Sequence, residues 1–369
     1  MSDSTKHEHH PAASGHRPTL AEVAQRAGVS RSTASLAFSG AGPVSDATRA
    51  RVFAAAESLG YGGPDPVARS LRSGRSGVIG VVIEERVRDA FRDPMNIAML
   101  DGLSDGTSSL GTALLLLPDT DEPESQAPRR PGPIETAAMD AVVLVGCSTR
   151  LDRPVSVLRR RGIPIVAIEA EPMEGVLEIA LDNREASATA ARHLYELGHR
   201  DIAVVTLPLG PQHVAGPLSA DWQEEATSYT AAQRLSGVLD VFTTLRGWMA
   251  PASSTASGIA AGRALLSDAE HRPTAIIAQS DLLAVGILRA AEELGLSVPQ
   301  DISVVGFDGI RLDGYGPWNL TTLVQPAVEK GRAAGIGIAR LLAGETPKPT
   351  LLRCTFRRGA TTAAPRATD

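Results

Sequence analysis

The sequence predicts a small all-α helix-turn-helix head joined by a short hinge to a larger two-lobe α/β body built on parallel sheets. Three observations carry that expectation. Residues 17–61 hold three short amphipathic runs, each opened by a capping residue and closed by a polar or glycine break. After Gly77 the grain changes to short, fully apolar runs that alternate with helical stretches, in two successive groups. The charge divides along the same line. Residues 17–76 carry Arg17, Arg26, Arg31, Arg49, Arg51, Arg69, Arg72 and Arg75 against Glu22, Asp46, Glu57 and Asp65, a balance of +4. Residues 77–369 carry −9, and the whole chain carries −6. A basic head suits a polyanion; an acidic body does not.

The head begins at TLAEVAQRA. Thr19 caps the first helix and Glu22, three residues on, completes a capping box. Leu20, Val23, Ala24 and Ala27 fall on one face, and Gly28 permits the left-handed turn that ends the helix. Ser30 caps a second helix, Arg31 to Phe38. Ser45 caps a third, whose Val52, Ala55, Ala56 and Leu59 form an apolar stripe ended by Gly60. Three short helices around one small core, with the second pair in a helix-turn-helix arrangement, form a DNA-reading unit. The second helix exposes Arg31, Ser32 and Ser35, which are basic or short groups suited to phosphates and base edges. A ligand-free helical subdomain is the plain alternative.

The next segment, YGGPDPVARSLRSGRSG, suits a very short hinge helix with Asp65 as cap and Pro66 at its first position. Such a helix is marginal alone and requires a partner chain or DNA. Leu71 on it is placed to wedge between base steps in the minor groove. A solvated linker is the alternative.

TLAEVAQRAGVSRSTAS, VSDATRARVFAAAESLGY and ARSLRSGRSGVIGVV follow, in order and spacing, the head and hinge of the LacI/GalR family of bacterial transcription repressors, which this chain therefore resembles over residues 19–83. The resemblance implies that Thr19, Ser30, Thr33 and Ser35 bind phosphate or cap helices, and that Arg31 and Ser32 read bases in the major groove. It adds Leu36 and Arg69 to the DNA-contacting set. Leu71 from each subunit of a homodimer would pry open the central base step of a near-palindromic, double-stranded operator. Ala34 and Leu36 stand where the family usually has Val and Arg. Leu36 cannot hydrogen-bond guanine, so the family's half-site letters do not carry over. Asp65 replaces the Asn common before the hinge proline.

In the body, VIGVVI, ALLLLP, AVVLVG, IPIVAIE, IAVVTL, AIIAQS and ISVVGFD read as buried parallel strands, split into two lobes near ALDNREASATAARHLYELGH. Ligands of open parallel sheets bind outside the carboxyl ends of the strands, so one cleft is expected between the lobes. The family resemblance continues through QRLSG, RPTAIIAQSDLLAVGILRAAEELGLSVPQDISVVGFDGI and LTTLVQP, and implies a periplasmic-binding-protein-like fold. It places Arg234 as a donor to a small-molecule effector, Asp308 as an acceptor of sugar hydroxyls, and Ser280, Asp281 and Gln325 beside them. For the first-lobe wall, EERVRDAFRDPMNIAML offers Phe91 and Met95 as apolar surface and Arg92 or Asp93 as the polar contact, a departure that argues against a common sugar. Asp281 as a plain helix cap and Arg234 as a surface residue are the structural alternatives. Trp222 either stacks on the effector or staples its loop.

The expected boundaries are a tail at 1–17, the helix-turn-helix domain at 18–62, the hinge at 63–76 and the effector domain at 77–369. Within that domain, lobe 1 takes 77–182 and 325–345, and lobe 2 takes 183–320 and 346–369. His7, His9, His10 and His16 lie in the tail, where nothing folded surrounds them to build a metal site. His193 and His199 have poor spacing for a metal. Cys147 and Cys354 lack CxxC spacing, which suits a reducing, cytoplasmic compartment. No run of about 18 apolar residues suggests a membrane span, and the opening MSDSTKHEHHPAASGHRP has no apolar core of an export signal. There is no P-loop, GxSxG, HExxH or dinucleotide-binding GxGxxG, so neither an enzyme nor a cofactor is expected. A solute-binding protein for import fits the body alone; the basic head and the absent export signal weigh against it. A C-terminus without heptads gives no support to a tetramer.

Overall fold

The computed structural model describes residues 18–40, 42–64, 70, 74–83, 91–118, 131–146 and 152–366. The tail, Arg69, Leu71 and the expected hinge helix, Cys147 and most of the proline-rich stretch after Pro118 lie outside these residues. The chain divides into two compact units, residues 1–76 and 77–369.

The first unit holds three helices: α1 (Leu20–Ala27), α2 (Arg31–Ser39) and α3 (Asp46–Leu59). Thr19 accepts from the Glu22 amide while the Glu22 carboxylate accepts from the Thr19 amide at 2.7 Å, which closes the capping box. Gly28 sits at φ 65°, a left-handed turn that a side chain would strain. Ser30 and Ser45 cap α2 and α3 through the amides of Thr33 and Thr48. The small core joins Val23, Ala24, Ala34, Ala37, Val52, Ala55 and Ala56. Phe38 meets Phe53 and Tyr61 edge-on, at 5.2 and 5.6 Å between ring centres.

The second unit is a pair of α/β lobes. The first sheet uses β1 (Val78–Ile83), β2 (Ala113–Pro118), β3 (Ala141–Val145), β4 (Ile165–Ile168), β5 (Leu177–Leu181) and β12 (Thr350–Leu352) in the order β12-β5-β4-β3-β1-β2, every pairing parallel. The second uses β6 (Ile202–Thr206), β7 (Gly216–Pro217), β8 (Arg246–Met249), β9 (Ala275–Ala278), β10 (Ser303–Asp308), β11 (Thr321–Val324) and β13 (Thr355–Arg357), in the order β13-β11-β10-β9-β6-β8-β7. Only its two edge pairings, β11 with β13 and β7 with β8, are antiparallel. Helices cover both sheets. They are α4 (Pro94–Thr107), α5 (Pro133–Thr136), α6 (Asp152–Arg160), α7 (Asn183–Glu196), α8 (Trp222–Glu225), α9 (Tyr229–Leu239), α10 (Thr255–Leu266), α11 (Asp281–Glu293) and α12 (Ala327–Leu342). Two buried clusters fill each lobe, one on each face of its sheet.

The chain crosses between lobes three times: from β5 to α7, from β11 to α12, and from β12 to β13. The last crossing corrects one expected boundary. Residues 346–369 do not all belong to the second lobe, because β12 pairs with β5 in the first sheet. Three residues between two turns carry too short a pattern to reveal their sheet. The stretch 208–226, which reads as a loop, contains β7 and α8. Trp222 is buried in the second lobe's core cluster and staples that segment.

Candidate functional site

On the first unit, the residues of α2 sort by their surroundings. Ala34 and Ala37 face the core. Arg31 and Ser32 are exposed, while Ser35 and Leu36 are half-buried. The Ser30 and Thr33 hydroxyls lie 2.8 Å apart and the Thr33 amide donates to Ser30 Oγ, so this pair serves the cap. Thr19 likewise serves the cap of α1. The Leu36 side chain lies over Gly42, where an added Cβ would come within 3.1 Å of it. It therefore packs on the turn after α2. Arg31, Ser32 and the rim of Ser35 remain as the polar face of α2.

In the second unit one cavity opens between the lobes, with about 940 Å³ of space, part of it continuous with solvent. Its walls come from the carboxyl ends of parallel strands in both sheets. Ile83 ends β1, Val145 ends β3, Glu169 follows β4, Leu207 follows β6, Asp308 ends β10 and Gln325 follows β11. Three helices bring their first turns to it: α4, α11 and α9, whose cap Ser228 lines the wall. Asp93 caps α4, its Oδ1 accepting from the Met95 amide at 2.8 Å. Ser280 caps α11, accepting from the Leu283 amide at 3.2 Å and from the Ser253 hydroxyl at 3.0 Å.

A buried ionic network crosses this cavity. Arg234, on α9, donates from Nε to Asn183 Oδ1 at 2.8 Å and from one terminal nitrogen to the Gln279 carbonyl at 2.6 Å. Its guanidinium lies 3.7 Å from the centre of the Phe307 ring. Its two ends stand 3.6 Å from Glu169 and 3.6 Å from Asp308. Glu169 also accepts from Asn183 Nδ2 at 2.8 Å and pairs with Lys330 Nζ. Lys330 donates to Gln325 Oε1 and Gln325 Nε2 donates to Asp308 Oδ1, both at 2.6 Å. The network joins the lobes, because Glu169 and Lys330 stand on the first while Asn183, Arg234 and Asp308 stand on the second.

The acids respond in opposite directions. Burial opposes ionisation of Glu169, but Lys330 and Arg234 outweigh it and hold the carboxyl down to about 2. Asp308 is pushed well up, first by burial and then by the nearby Asp93 and Asp281, against the pull of Arg234. Burial also raises Asp93. Among the described residues, the non-glycine residues at positive φ are Glu169 at 54°, His213 at 49° and Asp308 at 122°, and all three line this cavity. Side-chain-bearing residues adopt such backbones at a cost, and they concentrate where a site demands them.

Of the residues that the sequence proposes for the effector, Met95, Arg234, Ser280, Asp308 and Gln325 line this one cavity. Three do not. Phe91 is 54% exposed and Arg92 is exposed; both precede the cap of α4, and it is Asp93 that turns inward. Asp281 is fully buried beneath the wall. Its Oδ2 accepts from the amides of Gly309 and Ile310 at 2.7 and 2.9 Å, and its Oδ1 accepts from the Thr322 hydroxyl at 2.5 Å. It ties α11 to the turn after β10 and to β11, and so shapes the wall without facing the cavity. Glu169 and Lys330 are missing from the sequence reading. Glu169 directly follows an apolar strand, as Asp308 does, and that position is the signal that would have found it. Lys330 lies within a helix, where a lone lysine reads as a solvated group.

Comparison with known proteins agrees with both units. Residues 19–63 match "Bacterial regulatory proteins, lacI family" and residues 191–362 match "Periplasmic binding protein-like domain". The chain is 32% identical to the HTH-type transcriptional regulator IpsA of Corynebacterium glutamicum over 94% of its own length and 97% of that protein's. Among solved structures it resembles the complex of the transcriptional regulator CelR with cellobiose, at 26% identity and a TM-score of 0.61, covering 94% of this chain and 100% of that one. It shares its fold with the lac repressor dimer bound to operator, at 23% identity and a TM-score of 0.75, covering 95% and 100%.

Proposed function

The chain belongs to the LacI family of bacterial regulatory proteins, and from that premise we propose that it is a repressor whose hold on a near-palindromic operator is set by a small polyhydroxylated effector in the inter-lobe cavity. It is a DNA-binding transcriptional regulator, and its relatives are regulators rather than enzymes. The reading of the effector rests on one observation above the others: Arg234, Asp308 and Glu169 converge from both lobes on one cavity, two of them on strained backbone.

Arg234 and Gln325 offer donors, and Asp308, Asp93 and Ser280 offer acceptors, to a ligand rich in hydroxyls. No Phe, Tyr or Trp lines the cavity among the described residues. The polar groups are set among the aliphatic side chains of Ile83, Met95, Met99, Val145 and Leu207, so a ligand is held by hydrogen bonds along its polar edges with apolar wall between them, and a compact carbohydrate meets that demand. Because the wall comes from both lobes, a ligand that bonds to both changes the angle between them. In a homodimer that movement is passed to the two heads. Arg31 and Ser32 read base edges, and Thr19, Ser30, Thr33 and Ser35 keep the helix ends facing phosphate. Leu36, folded on its own turn, gives at most an apolar contact to a base. Arg69 and Leu71 contact the operator near its centre. Coupling of effector and operator is worth about 1–3 kcal/mol in such systems.

The test is anisotropy of a labelled operator duplex titrated with the full chain, in the presence and absence of a panel of sugars and polyols. A panel member shifts the titration of the wild type, whereas Arg234→Ala binds the duplex but ignores the same compound. A wild type indifferent to every compound, or an Arg234→Ala variant that still responds, contradicts the reading.

A further inference from the structure

We infer that Glu169 fills the anion subsite of the cavity with a carboxylate of the protein's own, so that the effector accepted here carries neither an acid nor a phosphate group. This rests on the proposed effector cavity and narrows the chemistry of what enters it.

Among the described residues two cations face the cavity, Arg234 and Lys330. An anionic ligand would seek both, since charge-assisted bonds to a guanidinium and an ammonium are the strongest the wall could offer it. Glu169 already stands between them. Its Oε1 pairs with Lys330 Nζ; its Oε2 lies 3.6 Å from Arg234 and accepts from Asn183 at 2.8 Å. Both carboxylate oxygens are therefore engaged. The backbone is fixed as well, because the Thr230 hydroxyl donates to the Glu169 carbonyl at 3.0 Å and the residue sits at φ 54°. The carboxyl stays ionised, since the two cations hold it near 2 despite burial.

Each cation also bonds within the protein: Arg234 donates to Asn183 and Gln279 and stands 3.6 Å from Asp308, and Lys330 donates to Gln325, which leaves N–H groups of Arg234 for a neutral hydroxyl. The helix N-termini at the cavity already hold caps of their own: Asp93 on α4, Ser228 on α9 and Ser280 on α11. An entering acid must either evict Glu169 or share Arg234 and Lys330 with it. A neutral polyol meets neither obstacle. Specificity of this kind comes from repulsion built against the wrong ligand as much as from bonds to the right one.

The experiment is calorimetric titration of the full chain with matched pairs: glucose with glucuronate and glucose 6-phosphate, galactose with galacturonate, and ribose with ribose 5-phosphate. Wild type should bind at least one neutral sugar, and the matched acid or phosphate at least about tenfold more weakly. Glu169→Gln keeps the shape and an acceptor for Asn183 but removes the charge, and should close or invert that gap by gaining affinity for the anion. A structural role alone would only lose affinity. An acid or phosphate that binds wild type as tightly as its neutral partner overturns the inference and leaves the effector cavity standing. So does a Glu169→Gln variant with an unchanged ratio. The wild-type titrations decide the matter if the variant does not fold. Absence of binding by every compound to both proteins sinks the effector cavity itself, and the inference with it.

Discussion

Asp308 ends β10 with its side chain buried and its backbone at φ 122°, and Asp281 lies directly behind it, its amide 3.4 Å from Asp308 Oδ2. Among the described residues the pair is weakly served by cations: Arg234 is shared with Glu169, Arg357 acts on Asp281 only as a minor influence, and Gln325 brings only an amide. Burial therefore raises both acids, Asp281 to about 7, and the pair retains a proton that isolated carboxylates would have lost. Hydroxyls donated to Asp308 by a ligand favour its ionised form. Binding should then release a proton, and affinity should rise with pH until the pair is ionised in the free protein, then level off. Titration of an effector between pH 5 and 8, in two buffers of different ionisation heat, measures both effects. An affinity flat over that range with no proton released contradicts the assignment. The same environments explain why residue identity alone said little here. Glu169 and Asp308 both close apolar strands, yet one carboxyl is driven down and the other up by partners far away in sequence.

At the scale of elements, α4 and α12 are held together by backbone contact. Gly102 and Gly106 on α4 face Gly331 and Gly335 on α12, and a Cβ at Gly331 would stand 1.9 Å from the Met99 carbonyl. Helices this close move as one body. Asp93 caps α4 and Lys330 lies on α12, so this unit carries two of the cavity's charges. Gly331→Ala must push the helices apart and should cost about 3 kcal/mol, at the upper end of overpacking, in urea unfolding. A loss below about 1 kcal/mol would show that the helices yield easily. The strands that were legible in the sequence, β1 to β4, β6, β9 and β10, are continuously apolar; all but β2 are central and buried on both faces, and β2 is an edge strand with Leu115 exposed. Most of those that escaped are partly exposed or at the margins; β11 is buried but opens with two threonines, which breaks the apolar run. In β5 burial alternates along Leu177–Leu181, and β12 and β13 are three-residue edges carrying exposed Leu351 and Arg357. The head was legible almost whole, because caps and glycine stops are local signals that no distant contact overrides. The partners of Arg234 and Lys330 were not, because they are set by which strand ends the fold brings together.

For the whole molecule, the charge division read from the sequence falls at the boundary between the two compact units, with +4 on residues 17–76 and −9 beyond. A positive head and a negative body confine the attraction for DNA to one end of the chain and leave the cavity to a ligand that need not be charged. Family membership then makes the head a reader of operator DNA and the body its ligand-responsive partner. The polar surface of α2 is this chain's own, since Leu36 packs against Gly42 and leaves Arg31 and Ser32 exposed. The most direct measurement is selection of bound duplexes from random DNA by the purified full chain, followed by sequencing. The account calls for enrichment of a two-fold palindrome with half-sites about one helical turn apart, and for Arg31→Ala to relax base preference at one symmetric pair of positions. Enrichment of unpaired single sites, or the same palindrome from Arg31→Ala, would contradict it.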